Sequence, residues 1–187
     1  MSEQLPQGLD SVFREIPNIR VRKDGERRVR VELPADSLPA LLELLKGRNG
    51  YLHLSAISCV EWPTTDEFEL VYHLWSYESK VLVSAHIRIP RNPGRYISVY
   101  DIHIPAGFFE RDIHEMFGVY FEGAPDMSKF ILTEWDGPPP MRKDFDSEQY
   151  VRDTFDWQHY DPQWLREIEA KGGGMLPQKG PDGPGSE

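Results

Sequence analysis

The chain has 187 residues, of which 39% are hydrophobic and 28% are charged, and its formal net charge is −10 at pH 7. This composition is typical of a globular protein that is long enough to bury a core. The acidic balance argues against direct nucleic-acid binding, which favours basic surfaces. No apolar run reaches the roughly 18 residues that a membrane-spanning helix needs, so we expect membrane association only through a partner. The first residues, MSEQLPQGLDSVF, do not follow the order of a signal peptide, which favours a protein that stays in the compartment where it is made.

Cys59 is the only cysteine of the chain. A single thiol excludes an internal disulfide, a CxxC zinc or redox motif and an iron–sulfur cluster held by four cysteines of this chain. We interpret Cys59 as a small buried residue of a strand, the usual position of a free cysteine.

The N-terminal part of the sequence predicts a helix followed by a hairpin. Residues 9–16 favour a short helix. Residues 19–22 and 28–33 alternate apolar and polar side chains around Asp24–Gly25, a turn-forming pair. The arginines of this stretch alternate with valines, which is typical of the solvent-facing side of strands.

A second helix and three strands follow. Residues 36–45 have a helical pattern with a proline in the first turn, and we expect Gly47 to end that helix. Residues 51–60, 67–76 and 80–89 predict strands that pair most easily as an antiparallel meander. In the last two, alternate apolar residues share one face: Phe68, Leu70, Tyr72 and Leu74, and then Val81, Val83, Ala85, Ile87 and Ile89.

From residue 119 to about 160 the sequence shows no sustained helical or strand period. It carries aromatic residues among prolines, aspartates and arginines: Phe121, Phe130, Trp135, Phe145, Tyr150, Phe155, Trp157 and Tyr160. Such a segment fits an arm that packs along another protein, because aromatics and arginine dominate interface energetics. It fits equally well an arm that folds back over its own sheet, and the pattern does not choose between the two.

Together these elements predict an α+β fold, with a small and mostly antiparallel sheet covered by helices, an extended C-terminal arm and a disordered tail. We predict a domain over residues 1–118 and an interaction arm over 119–171 that ends in a helix at 162–171. Residues 172–187 hold six glycines and three prolines and are expected to be disordered.

The densest polar cluster, FERDIHEMFG at residues 109–118, reads as a helix with Phe109, Ile113 and Met116/Phe117 on its buried side. Glu110 and His114 lie one turn apart and are candidate ligands of one metal ion, as in a stand-alone metal-dependent enzyme. The zincin pattern is absent, however, since Gly118 occupies the place of its second histidine. The favoured interpretation is a charged helix whose Arg111 organises carboxylates within the chain or in a neighbour.

The sequence contains neither a glycine-rich nucleotide-binding motif nor a nucleophile elbow. We therefore assign no catalytic, cofactor-binding or metal-ligating residue to the chain. A binding or scaffolding role is favoured.

Three motif blocks resemble the 30 kDa subunit family of respiratory complex I, the NADH-quinone oxidoreductase. They are ISVYDIH with AGFFERDIHEMFG at residues 97–103 and 106–118, FEGAPD at 121–126 and PMRKDF at 140–145. The order and the spacing of the blocks make the resemblance specific, although the span that holds them, residues 97–145, is only about a quarter of the chain. The pattern departs at Ala124, where the family has histidine, at Gly137 with the prolines after it, and at Asp146. The same module occurs in coenzyme F420H2 dehydrogenases and in membrane-bound energy-converting hydrogenases.

The resemblance implies a peripheral-arm subunit without cofactors, on the cytoplasmic side of the cell membrane. It would pack beside the large quinone-site subunit of the 49 kDa type, or beside the nickel–iron subunit of a hydrogenase. The iron–sulfur clusters and the membrane arm would belong to other subunits, so any catalysis would be that of the whole complex. The alternatives are the equivalent subunit of a hydrogenase or F420H2 dehydrogenase, a stand-alone enzyme using Glu110 and His114, and an adapter unrelated to respiration.

The resemblance assigns structural and interface roles to the motif residues. Glycines serve turns, a proline fixes a bend, and Arg142 and Asp144 are candidates for charged bonds to the partner. These residues are Glu110, Arg111, Asp112, Phe117, Gly118, Gly123, Pro125, Asp126, Arg142, Lys143 and Asp144.

Overall fold

A computed structural model describes Leu5, residues 8–155 and residues 163–170. The chain divides into two compact units, Met1–Phe145 and Asp146–Glu187. Residues 119–145 thus share a unit with the predicted sheet region, while the predicted division into a domain at 1–118 and an interaction arm at 119–171 stays a prediction. The predicted tail at 172–187 lies outside the described residues.

The chain begins with the predicted helix and hairpin. Helix α1 spans Leu9–Glu15, and strands β1 (Arg20–Lys23) and β2 (Arg28–Glu32) pair antiparallel, with Val21 opposite Val31. On β2 the valines point into the core, while Arg28 and Arg30, which alternate with them, point outward. This arrangement confirms that the basic stretch lies on the outer side of strands.

Helix α2 is longer than the sequence predicted. After a 3₁₀ turn at Ala35–Ser37 it runs from Leu38 to Asn49, and Gly50 ends it in the left-handed conformation with φ 66°. The prediction that Gly47 ends this helix was wrong, because a glycine is tolerated inside a helix whose leucines remain buried on one side.

Three ten-residue strands complete the main sheet. They are β3 (His53–Trp62), β4 (Glu67–Ser76) and β5 (Val81–Pro90), and the strand order is β1-β2-β5-β4-β3. Strand β2 runs parallel to β5, and the other three pairings are antiparallel. The predicted α+β fold with a mostly antiparallel sheet is confirmed.

One face of the sheet forms the core together with the helices. The alternating residues that were predicted on β4 are fully buried, and those on β5 are nearly so. They share one apolar cluster with α1, α2 and a third helix: Leu9, Val12, Phe13, Leu38, Leu41, Leu42, Leu45, Ala106 and Ile113. The opposite face carries a polar network in which Glu69 accepts from Trp62 Nε1 at 2.8 Å and lies 2.7 Å from His86 Nδ1.

The third helix, α3 (Ala106–Phe117), lies between two short strands, β6 (Arg95–Ile97) and β7 (Tyr120–Glu122). The strands pair in parallel, with Tyr96 opposite Phe121, and α3 packs against β3. Neither short strand was predicted, because three residues are too few to show a strand period.

The second unit contains two described helices. Helix α4 (Ser147–Thr154) begins at Asp146, whose carboxylate accepts the Gln149 N–H at 2.9 Å, and α5 spans Gln163–Ala170. Helix α5 agrees with the predicted helix at 162–171, whereas α4 was not predicted. Among the described helices, none is long and apolar enough to cross a membrane.

The corrected end of α2 leads to a stability prediction. Gly47 is inside the helix with open space where a Cβ would stand, so Gly47→Ala should raise the free energy of unfolding by about 0.5–1 kcal/mol. Gly50→Ala is the matched control. It should destabilise, because φ is positive there and the Cβ would lie 3.2 Å from Glu78. Urea denaturation measures both, and a loss of stability in Gly47→Ala would show that the helix ends where the sequence predicted.

Candidate functional site

Helix α3 carries the first motif block and has two distinct sides. Ala106, Glu110 and Ile113 are buried on the side that faces the sheet. Phe117 lies at the end of the same side, where its ring meets Phe68 edge-on at 6.3 Å. Phe109 and Met116, predicted for the buried stripe, are half-buried. The acid at position 110 lies on the buried side, which sequence reasoning missed.

Glu110 ties α3 to the chain that follows β6. Its two carboxylate oxygens accept from the Ser98 hydroxyl at 2.6 Å and from the Val99 N–H at 2.8 Å. Burial raises the pKa of Glu110, and these two hydrogen bonds oppose that rise. A fully buried carboxylate without partners would be costly, so its partners explain how an acid fits here.

The structure gives no support to a metal site at Glu110 and His114. His114 Nδ1 lies 2.9 Å from the Val119 carbonyl oxygen, so it holds the turn after α3, and Glu110 is bonded to residues 98 and 99. Within the described ranges there is no group of three or more His, Cys, Asp or Glu side chains placed to hold an ion. Cys59 lies half-buried on β3, and burial raises the pKa of its thiol to about 12.

On the outer side of α3, Arg111 holds the loop that follows the second motif block. Its guanidinium donates to the carbonyls of Ser128 at 2.8 Å and Lys129 at 2.6 Å, and it lies 3.1 Å from the Asp126 carboxylate. It also lies over the Phe130 ring, 4.9 Å from the ring centre. The expectation that Arg111 organises a carboxylate is met here by Asp126 of the same chain.

Glu115, one helical turn after Arg111, holds the same loop by the opposite groups. Its carboxylate accepts three consecutive backbone N–H groups, those of Phe130, Ile131 and Leu132, at 2.8–3.0 Å. Burial would raise the pKa of Glu115, but the three N–H groups and Arg111 lower it below the ordinary value. Arg111 therefore donates to the carbonyls of the loop, and Glu115 accepts from its amides.

The third motif block binds the C-terminal end of α3. Arg142 Nε donates to the Phe117 carbonyl at 2.8 Å, and the Met141 N–H donates to the Met116 carbonyl at 3.0 Å. Carbonyls in the last turn of a helix lack partners within the helix, so Arg142 and Met141 act as its cap.

Gly118 is required at this end of α3 for two reasons. Its φ of 78° is left-handed, and a Cβ would stand 2.9 Å from Arg142 Nη2 and 3.0 Å from Pro139. Gly123 also has a positive φ of 84°, but no heavy atom lies within 4 Å of where its Cβ would stand. Gly123 thus serves the backbone turn alone, and Pro125 lies in the bend that follows.

Two residues that sequence reasoning missed, Glu61 and Arg91, hold the rest of the third block. The buried Glu61 carboxylate accepts the Lys143 N–H and lies 2.7 Å from Arg91 Nε. Arg91 also donates to Asp144, which lowers the pKa of that carboxyl. The alternation of β3 offered a signal, because Glu61 follows Ile57 and Cys59 on the inward side and a buried acid needs a partner.

The comparisons with known proteins agree with the motif blocks. The sequence model of a family described as the 30 Kd subunit of respiratory-chain NADH dehydrogenase matches residues 31–151. One subunit of the F(420)H(2) dehydrogenase of Methanosarcina mazei is 32% identical over 124 residues, which are 64% of this chain and 76% of that protein. One subunit of the NADH-quinone oxidoreductase of Moorella thermoacetica is 30% identical over 137 residues, 73% of this chain and 92% of that protein.

Two solved structures are similar. A chain in the structure of the membrane-bound sulfane sulfur reductase, an archaeal respiratory membrane complex, matches with a TM-score of 0.74 and 34% identity over 82% of this chain and 91% of that one. A trypsin-resistant fragment of Nqo5 matches with a TM-score of 0.54 and 23% identity over 63% of this chain and 95% of the fragment, and this likeness shows the fold alone.

The cap at the end of α3 predicts a role of Arg142 in stability. Arg142→Ala should lower the free energy of unfolding by about 1–2 kcal/mol, because the Phe117 carbonyl loses a charge-assisted donor. The exposed Arg22 of β1, which pairs with Asp24 just after the strand, provides the control, and Arg22→Ala should cause no measurable change. Equal stability of the two variants in chemical denaturation would show that Arg142 does not stabilise the protein by capping α3.

The Glu115 carboxylate accepts three backbone N–H groups, so Glu115→Gln should loosen the loop at residues 130–132. An amide presents one acceptor where the carboxylate presents two, so trypsin should cut after Lys129 faster in this variant than in the parent protein. Glu43→Gln, an exposed position on α2, is the control and should leave the cleavage rate unchanged.

The same carboxylate predicts a pH dependence. Because its folded-state pKa lies below the ordinary 4.5, its stabilisation is complete above pH 4.5 and is lost as the pH falls through the folded-state value. The amide resonances of residues 130–132 should therefore titrate with a midpoint below 4.5. A midpoint above 4.5 would contradict the arrangement.

Proposed function

Because the chain belongs to the family of the 30 kDa subunit of respiratory-chain NADH dehydrogenase, we propose that it is an accessory subunit of an ion-translocating oxidoreductase of the NADH-quinone type. In this role it carries no cofactor and performs no catalytic step. It packs in the peripheral arm against the large quinone-site subunit, and it reaches the cytoplasmic side of the membrane only through its partners.

The observation that carries this proposal is the match of residues 31–151 to the family, which includes all three motif blocks. The single cysteine supports the absence of a cluster, since an iron–sulfur cluster with four thiolate ligands cannot be built from Cys59 alone. The iron–sulfur clusters and the quinone site then belong to other subunits of the complex.

The anchored segments support a role in assembly. Arg111, Glu115 and Arg142 hold irregular chain on α3 by contacts to the backbone. A surface that is ordered before binding loses less conformational entropy when it meets a partner. The motif residues thus act on assembly by shaping the surface of their own chain, and Lys143 and Asp144, which are exposed, lie where they can also meet a neighbour.

A second candidate is the equivalent subunit of an F420H2 dehydrogenase or of a membrane-bound hydrogenase. The similarity to the F(420)H(2) dehydrogenase subunit of Methanosarcina mazei favours the first of these. The two candidates differ in the electron donor and in the neighbouring large subunit, and the role of this chain is the same in both.

An affinity purification of the tagged chain from gently solubilised native membranes tests the proposal. We expect a large quinone-site subunit to be recovered with iron–sulfur and membrane subunits, all identified by mass, while untagged membranes yield none of them. Oxidation of NADH, of F420H2 or of H2 by the purified complex then distinguishes the NADH-quinone type from the F420H2 dehydrogenase and from the hydrogenase. Recovery of the chain alone, under conditions that keep such complexes intact, would contradict the proposal.

A further inference from the structure

An apolar surface stands out on the outer side of α3. Phe108 is 61% exposed and Ile131 is 58% exposed, and both are large apolar side chains. The Phe108 ring meets the ring of Phe130, which is 38% exposed, at a centroid distance of 6.1 Å. We call Phe108, Phe130 and Ile131 the Phe108 surface.

The Phe108 surface is held in place rather than displayed on a free loop. Phe130 and Ile131 donate their backbone N–H groups to Glu115, and Arg111 lies over the Phe130 ring. The chain thus uses two charged side chains of α3 to fix a loop that presents apolar residues to solvent. Exposing these apolar side chains to water contributes no stability. A partner that buries the Phe108 surface gains binding energy from it, and the ordered loop lowers the entropy cost of binding.

An acid lies beside the Phe108 surface. Asp112 is one helical turn from Phe108 on the same side of α3, and it is half-buried. Within the described part of the chain, no residue forms a hydrogen bond or an ion pair with Asp112. Burial and the nearby Glu115 raise the pKa of its carboxyl. An acid that lacks a cation of its own next to an apolar surface is complementary to a basic group on a neighbour.

We propose that the Phe108 surface docks into an apolar pocket of a protein neighbour in the complex, and that an arginine or lysine of this neighbour pairs with Asp112. This inference rests on the proposed function, because it takes the neighbour to be a subunit of the same complex. An aromatic anchor in a pocket with a charged pair at its edge is the arrangement that concentrates binding energy at protein interfaces.

Charge argues against two other occupants of the Phe108 surface. A membrane leaflet with anionic lipids repels a chain of net charge −10 with Asp112 at the contact. A second copy related by a two-fold axis presents the same surface, so near the axis Asp112 would face another Asp112. A neighbouring protein of different sequence avoids both the repulsion from anionic lipids and the contact between two Asp112 side chains.

Substitutions in the full-length tagged chain, purified from native membranes, test the inference. Phe108→Ala and Asp112→Lys should each lower the recovery of the neighbouring subunits at least tenfold, while the melting temperature of the isolated chain stays that of the parent protein. Leu52→Ala is the matched control, since Leu52 is 68% exposed near the start of β3, and it should leave recovery unchanged. A photo-crosslinking p-benzoylphenylalanine at position 108 should attach to one neighbouring subunit, at a peptide that contains arginine or lysine.

The outcomes separate the inference from the proposed function. Full recovery with both Phe108→Ala and Asp112→Lys would overturn the docking surface and leave the proposed function standing. Recovery of the parent chain alone would overturn both. Light scattering of the isolated chain adds a third outcome: a dimer that Phe108→Ala converts to a monomer would make a second copy the occupant and overturn the inference.

Discussion

Irregular chain must still find partners for its backbone N–H and C=O groups, and in this protein helix α3 supplies them. The helix uses its buried side to join the core and its outer side and C-terminal end to bind two segments that lack regular structure. Each motif block is thereby connected to the same twelve-residue helix. The orientation of residues 119–145 depends on how firmly α3 packs on the sheet.

The charges of α3 are arranged by the groups that they bind. Arg111 lies among carbonyls and Glu115 lies among amides, so each ion meets the end of the backbone dipole that suits it. Glu110 meets the Val99 amide and the Ser98 hydroxyl in the core, where an unbonded acid would be costly. Of the acids on this helix, Asp112 is the one that forms no hydrogen bond or ion pair with the described residues, and it lies beside exposed aromatic residues. Four polar side chains of the helix therefore serve folding: Glu110, Arg111, His114 and Glu115. The fifth, Asp112, is left available for a partner.

Sequence patterns predicted the sheet better than the segment that follows it. The alternation of Phe68, Leu70, Tyr72 and Leu74 was sufficient because all four side chains are buried on one face. The end of α2 was misplaced, because the sequence allows either Gly47 or Gly50 to end the helix. Only Gly50 adopts the positive φ that ends it. The burial of Glu110 and the ion pair of Glu61 with Arg91 depend on contacts between distant parts of the chain. The local helix or strand periodicity of the sequence does not reveal such contacts. Aromatic, proline and arginine residues in 119–145 fit a partner or the chain's own core equally well. The backbone contacts that this segment makes to α3 are not visible in the sequence.

The central claim is that residues 126–145 are anchored on α3 and on Glu61 of β3 before any partner binds. Amide hydrogen exchange of the isolated parent chain tests it most directly. The account predicts slow exchange at Phe130, Ile131, Leu132, Met141 and Lys143, whose N–H groups donate to Glu115, Met116 and Glu61. Exchange at the rate of an unstructured chain at these five positions, with protection that arises only in the assembled complex, would show that a partner orders the segment and would contradict the account.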